Sequence, residues 1–470
     1  MRTLLFLSLL LPVFMPLVSC NMQKDMSDRF SSSYVQVSRD NPHYFCLSDG
    51  SPYIPTGCNI AAISDREDIS LYMDSLAAYG CNFGRVWLNS ALFEIQTEYG
   101  VIDSTNADNL RFLIDEAESH GIKLKLCIES FRHIRPGKNK WDTKASYHVS
   151  NGGPFNDARE FINSERGYEE YLRRLSLLKE IVGDSPAVFG WELWNEMNAV
   201  DSDNIDVWTE KMLSSVHEMF PKNLVMQSLG SLDRQSSLYI YGKVCHMDSN
   251  DVLQVHRYLD EGAELAICSA PVDSLCADAV DVLLGYGIGK PVLLAESGAV
   301  NPAHSGPSRY YKADRDGMIL HDVIFTPFFC GSAGCGHSWH WDHYIQKYGL
   351  WWQFGRFNRA IAGINPIEEG FVPVRTDSGR LKGYALAGSN TLLIWYRDSR
   401  NTWQTELRDG MPPEVISGKE ISLAGLTGGR KIRQISVYDP WKDIVYNAGR
   451  NPELVLPDFS RSIVVRVKYR

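Results

Sequence analysis

Between Tyr53 and Trp341 the chain alternates short apolar runs with amphipathic stretches of helical length, a pattern that predicts βα units and a parallel sheet. Eight runs can be counted: YIPTGCNI from Tyr53, NFGRVWL from Asn82, KLKLCIE from Lys123, VFGWELWN from Val188, NLVMQSL from Asn223, DVLQVHRY from Asp251, PVLLAES from Pro291 and GCGHSWHW from Gly334. Helical periodicity fills the gaps, as from Asn106 to His120, where Leu110, Leu113, Ile114 and Ala117 recur before Gly121 ends the turn. Eight strands with eight crossovers make a (β/α)8 TIM barrel. After Asn365-Pro366 the pattern shifts to short alternating strands with turn signals, among them TLLIWYR, QISVYD and SIVVRVKYR, which predict a C-terminal β-sandwich. The expected plan is a barrel over residues 41–366 and a sandwich over 367–470.

The amino terminus stands apart from this plan. Arg2, the apolar run Leu4 to Val18 and a small-residue junction read as an export signal. The run ends Leu17-Val18-Ser19-Cys20, which resembles a bacterial lipobox, and that resemblance implies a lipoprotein signal over residues 1–20 and a lipid on Cys20, followed by a linker over 21–40. The expectation is an exported, membrane-anchored lipoprotein, periplasmic or on the cell surface. No other stretch approaches the length of a bilayer span, so the lipid is the only membrane contact implied. A net charge of −10 argues against a nucleic-acid partner. Nine cysteines remain after Cys20. Cys58, Cys81 and Cys127 lie in or beside strand-like runs, as small buried hydrophobes do. Cys268 with Cys276, or Cys330 with Cys335, could form local disulfides, though spacing alone does not establish them.

Two glutamates carry the candidate chemistry. Glu196 follows the fourth run and Glu296 closes the seventh, each at a predicted strand end. Hydrolysis of a glycosidic bond needs two carboxyl groups facing one another across the sugar, and the strand ends of a barrel can deliver them. Strand alternation supports the placement: Glu192, Trp194 and Glu196 share one parity, as do Gln254, His256 and Tyr258, and Val292, Leu294 and Glu296.

The order of Arg85 in RVW, Asn195-Glu196 in WNE, His256 and Tyr258 in HRY, Glu296 in AESG and a tryptophan on the last strand is similar to the clan A glycoside hydrolases, especially family 5. WELxNE recurs in the β-mannanases of that family, and FCLSDGSPYIPTGCN resembles their first strand. The resemblance implies an acid/base at Glu196, a nucleophile at Glu296 and retention of anomeric configuration. Arg85 and Tyr258 would keep Glu296 ionised, and an aromatic wall with the charge of Glu296 would keep Glu196 protonated. Asn195 would contact the sugar 2-hydroxyl, and Trp339 or Trp341 would stack on the ring. Trp194 and Met197 depart from the small residue and proline that flank the Asn-Glu pair in many mannanases.

Other residues have two readings. Glu192 points inward beside Lys125, as a buried ion pair would. Glu129 could touch substrate or pair with Arg132 or Arg135. HSWHWDH spaces His337, His340 and His343 three apart beside Asp342, as a metal site might; on a strand these alternate faces, so the expectation is no metal, with His340 or His343 bonding sugar hydroxyls. Between Phe131 and Phe161, Trp141, Tyr147, His148 and Phe155 could form a sugar platform or pin the insert to the barrel. No cofactor is implied. The expected partner is a β-linked polysaccharide or oligosaccharide, β-mannan first, β-galactoside or β-glucan next. The competing reading is a non-catalytic glycan-binding lipoprotein.

Overall fold

The computed structural model describes residues 32–130, 145–200, 202–304 and 306–470. Cys20 and its signal, Arg132, Arg135 and Trp141 lie outside the described residues. Val35–Val37 (β1), expected in a linker, instead pairs antiparallel with Phe45–Leu47 (β2), which pairs with Pro52–Tyr53 (β3). Phe45 and Tyr53 set their rings 5.3 and 6.1 Å from Phe189, near the start of a barrel strand, so this small sheet covers the amino-terminal end of the barrel.

The barrel strands are Gly57–Asn59 (β4), Phe83–Trp87 (β5), Lys123–Glu129 (β6), Val188–Trp194 (β7), Leu224–Met226 (β8), Leu253–His256 (β9) and Val292–Glu296 (β10). The first five form one parallel ladder and the last two another. The ladders meet where Asp251 N donates to Val225 O at 3.0 Å. The eighth run is not a regular strand. It still closes the ring, because Ala333 and His337 N–H groups bond Val292 and Leu294, while Asn59 N–H bonds Ser338 O at 3.0 Å. Its glycines explain the irregularity: a Cβ on Gly336 would lie 2.2 Å from Val323 O, and one on Gly334 2.5 Å from Pro55 O.

Helices follow from caps and apolar stripes. Asp65 caps Arg66–Ala78 (α1), which buries Ile69, Tyr72, Met73 and Leu76. Asp103 caps Ser104–Ser119 (α2), whose predicted stripe is buried. Ala158–Asn163 (α3), Glu165–Val182 (α4), Ile205–Met219 (α5), Ser237–Cys245 (α6) and Val272–Leu284 (α7) continue the outer layer. Met318–Phe329 (α8) is buried on every side, as a helix covered on two faces must be.

The second cover is the C-terminal sheet. Val372–Arg375 (β11), Leu381–Ala387 (β12), Thr391–Asp398 (β13), Ile432–Asp439 (β15), Ile444–Asn447 (β16) and Ser462–Tyr469 (β18) run antiparallel in the order β11-β12-β13-β18-β15-β16, and Glu420–Ser422 (β14) pairs separately with Glu453–Val455 (β17). Alternation along β13 divides two cores: Leu393 and Trp395 join the barrel core, while Leu392, Ile394 and Tyr396 join a smaller core with Ile421 and Leu454 of the ribbon. Sequence suggested two matched sheets. The structure has one broad sheet between the barrel and a two-stranded ribbon, tied to α8 by the buried Arg397–Asp322 pair at 2.8 Å. Cys268, Cys276, Cys330 and Cys335 are all buried free thiols.

Candidate active site

Both glutamates sit where their strands stop being regular. β7 ends at Trp194, and Glu196 takes a left-handed conformation, φ 54° and ψ 55°, which costs a residue with a Cβ about 1–2 kcal/mol. Strict alternation therefore does not carry Glu196 into the lumen. The Trp194 ring packs against Phe161 and Trp208, in the helical layer, and the left-handed turn re-aims the next side chains. Ser228, just past β8, holds the turn by accepting the Glu196 N–H at 3.0 Å. Glu296 ends β10 beyond a register shift against β9, so a bulge directs it as well.

Beneath the two carboxylates lies a wholly buried ionic cluster centred on Arg85. Its Nε and Nη2 each donate to Glu192 at 2.7 Å; Nη1 reaches Glu296 at 2.5 Å and Asn59 at 3.0 Å; Nη2 also reaches Asn195 Oδ1 at 2.7 Å. Lys125 Nζ lies 3.1 Å from Glu192, which also accepts from the Ser228 hydroxyl. Burial alone would raise the Glu192 carboxyl, but Arg85 and Lys125 hold it well below its usual range. Burial lowers Lys125 to about 8, against the pull of Glu192. The expected Lys125–Glu192 pair is thus present, with Arg85 as its larger partner.

Above the cluster, Tyr258 donates to Glu296 Oε2 at 2.7 Å. His256 Nδ1 lies 2.8 Å from Glu196 Oε1 and 3.4 Å from Glu296 Oε2. One oxygen of each glutamate and a ring nitrogen of His256 fall within 4.8 Å of one another. Asn195 spends its carbonyl on Arg85 and keeps a buried Nδ2 with no partner among the described residues. That leaves an amide donor for a ligand.

A cavity of about 1070 Å³ opens over the pair and is lined by Glu196, Glu296, Tyr258, Trp339 and His340. Arg85, Asn195 and His256 lie below it and act on its floor. The Trp339 ring sits 5.0 Å from Trp87. Trp341 corrects the expectation: it is buried behind Trp339, edge-on at 5.5 Å, and does not line the cavity. Tyr311 accepts the Ala299 N–H at 2.7 Å and lies 3.1 Å from His340 Nδ1. With Nδ1 turned to that hydroxyl, Nε2 is the ring nitrogen left to the cavity. Burial, together with the charge of His343, lowers His340 to about 4, so the ring is neutral near pH 7.

The three histidines of the eighth run do not converge. His337 is buried and stacked on Phe83 at 4.2 Å, while His343 is largely exposed beside Asp342. The donor groups that do converge are Glu196, His256 and Glu296, and separately Asp233, Asp260 and His304. In the first, Arg85 already supplies the positive charge. Glu129 accepts from Asn89 and from Ser130 N–H at 2.9 Å. Tyr147 and Phe155 are buried around Phe161, so they pin the described part of the insert. Ser228 and Tyr311 had no sequence signal, because each acts through hydrogen bonds to residues distant in the chain.

No family model matches the chain. It is 26% identical over 341 residues to mannan endo-1,4-beta-mannosidase 4 of Oryza sativa subsp. japonica, an alignment covering 67% of this chain and 71% of that one. It is 24% identical over 288 residues to mannan endo-1,4-beta-mannosidase 1 of Solanum lycopersicum, covering 53% and 71%. Among solved structures, a protein described as a glycoside hydrolase matches with a TM-score of 0.62 at 13% identity, covering 94% of this chain and 98% of that one. A glycoside hydrolase family 5 protein from Bacteroides vulgatus matches with a TM-score of 0.61 at 14% identity, covering 94% of each. The chain thus joins a facing pair of glutamates at the barrel mouth to a sequence similar to plant mannan endo-1,4-beta-mannosidases and to a fold shared along nearly its whole length with proteins described as glycoside hydrolases.

Proposed function

We propose that the protein is a retaining β-glycosidase acting on β-mannan, with Glu296 as nucleophile and Glu196 as acid/base. The closeness of the two carboxylates carries the mechanism: oxygens within 4.8 Å suit a retaining enzyme, whose carboxyls stand about 5–5.5 Å apart, rather than an inverting one, which needs about 6.5–9.5 Å to admit a water. Charge assigns the roles. In the hydrogen-bonded cluster two carboxylates, Glu192 and Glu296, meet two cations, Arg85 and Lys125. Glu192 is paired with both and Glu296 with Arg85 and Tyr258, while Glu196 meets His256. Glu296, held by Arg85, takes the nucleophile's role, and Glu196, which faces it, takes the acid's.

In the first step a Glu296 oxygen attacks the anomeric carbon as the bond to the leaving oxygen breaks and Glu196 gives that oxygen its proton. In the second, Glu196 takes a proton from water, whose oxygen attacks the same carbon and releases Glu296. Asn195 Nδ2 and His340 Nε2 are the groups placed for sugar hydroxyls. The choice of mannan rests on the named relatives. The location proposed is a membrane surface, reached through a lipid on Cys20.

The test is reducing-sugar release from mannan, galactan, xylan and mixed-linkage glucan by the chain from Asn21 onward, with proton NMR of the first anomer formed. The expected result is release from mannan as the β-anomer, a loss of about 10²–10⁴-fold in Glu196→Ala, and no turnover in Glu296→Ala. Release of the α-anomer first would overturn the retaining mechanism. Release from another polymer would replace the substrate, and binding without release by wild type would make the protein a glycan binder.

A further inference from the structure

The cavity runs on beyond the catalytic pair. Its lining takes in Trp339, Glu296 and Glu196 and, on α6, Tyr239 and Lys243. Pockets for drug-sized ligands span about 300–1,000 Å³; at about 1070 Å³ this one has room for several sugar rings. Tyr239 is 72% exposed. The tyrosine is nonetheless held in place. Lys243 Nζ lies 5.0 Å from its ring centroid, and Asp206 fixes that lysine at 2.6 Å. An aromatic ring braced by a cation and left facing water in the lining of a substrate-sized cleft is suited to stack on a sugar face.

The side of the cleft follows from the chemistry. Glu196 protonates the leaving oxygen, so the leaving portion of the substrate departs past Glu196. The loop leading to α6 lies against that residue: Gly230 N donates to Asn198 at 2.6 Å, and a Cβ on Gly230 would stand 3.6 Å from Glu196 Oε2. Trp339, in contrast, is tied to Ser297, directly after the nucleophile, by its N–H at 2.8 Å. Resting on the glycosidase reading, we propose that Tyr239 is a stacking platform for a sugar ring in the leaving portion of the substrate, so that chains extending several sugars beyond the cleaved bond are preferred over short leaving groups.

The test is the ratio of kcat/KM on a long oligosaccharide to that on an aryl glycoside of the same sugar, taken from whichever polymer the wild type cleaves, so that a wrong sugar leaves it intact. Tyr239→Ala should lower the ratio about 5–10-fold, mainly through KM of the long substrate. Tyr239→Phe, which keeps the ring, should restore most of it, and Lys243→Met should give an intermediate loss. A ratio changed by less than about twofold in Tyr239→Ala, or an equal loss in Tyr239→Phe, overturns the platform while leaving the glycosidase intact. Failure of the wild type to hydrolyse any polymer or aryl glycoside overturns both.

Discussion

Replacing Arg85 by methionine should both destabilise the barrel and disable it, and the two effects should separate in a second variant. The guanidinium is fully buried and donates to Glu192, Glu296, Asn59 and Asn195. Its loss leaves Glu192 with Lys125 and the Ser228 hydroxyl, and leaves Glu296 with Tyr258 and the more distant His256. Removing one partner of a buried ion pair costs about 3–5 kcal/mol, because the remaining charge stays out of water without compensation. Native domains hold only about 5–15 kcal/mol in all. Arg85→Met should therefore shift the urea midpoint strongly, with kcat/KM down about 10²–10³-fold, as when one preorganised donor is lost from an active site. Adding Glu192→Met removes the carboxylate that has lost both of its guanidinium bonds, and leaves Lys125 with Gln254 in place of its anion. The double variant should regain at least about 2 kcal/mol over the sum of the single losses, yet stay inactive, since Glu296 still lacks its cation. Unfolding followed by tryptophan fluorescence, beside hydrolysis of the wild-type substrate, gives both readings. A destabilisation below about 1 kcal/mol in Arg85→Met, or additive losses in the double variant, would refute the claim that Arg85 holds the cluster together.

Three further outcomes are expected. His337 is buried against Phe83 with Lys125 and Arg85 nearby, and burial followed by those charges lowers it well below 6.5. A depressed folded value means stability that is full above 6.5 and is lost as pH falls toward that value. Each pH unit is worth about 1.4 kcal/mol for one proton, so His337→Phe should gain about 2 kcal/mol more over wild type at pH 5 than at pH 7.5; equal differences in urea midpoint at the two pH values would count against it. Ser228→Ala removes the acceptor of the strained Glu196 N–H and a donor to Glu192. It should cost about 1–3 kcal/mol and lower kcat more than it raises KM; an unchanged kcat would show that the turn at Glu196 holds without the hydroxyl. Finally, Cys20→Ala should move the protein from the membrane to the soluble fraction and abolish labelling by a fatty acid, while a variant that stays labelled would place the lipid elsewhere.

Much of the framework was legible because periodicity reports burial. The seven regular barrel strands fall within the apolar runs, and the helix expected from Asn106 to His120 overlaps α2, Ser104–Ser119, which starts earlier and leaves His120 as its cap. Lys125 beside Glu192 followed from parity, and the pair forms even though β6 shifts register against β7 between Leu124 and Lys125. The C-terminal strands were visible as alternation, but their partner was not. Along β13 both faces are buried, one on the barrel and one under the ribbon, and a run apolar at every position does not say what covers each side. Trp341 shows a similar limit: it sits at the start of a wide helical turn, Trp341–Gln346, where a period of two no longer applies.

The same limit falls hardest on the proposed catalytic pair. Alternation placed Glu196 on the face of Trp194, yet Trp194 turns to the helical layer and Glu196 reaches the cleft through a positive φ. Glu296 passes a register shift before it meets His256. Had both strands stayed regular, the carboxylates would be placed by barrel geometry alone. The bulge and the left-handed turn instead let their separation be set locally, at the cost of strain that the buried bonds to Ser228 and Arg85 offset. The bulge and the left-handed turn thus sit where two carboxyl groups are brought together, and the ionic layer beneath them supplies positive charge to the approach.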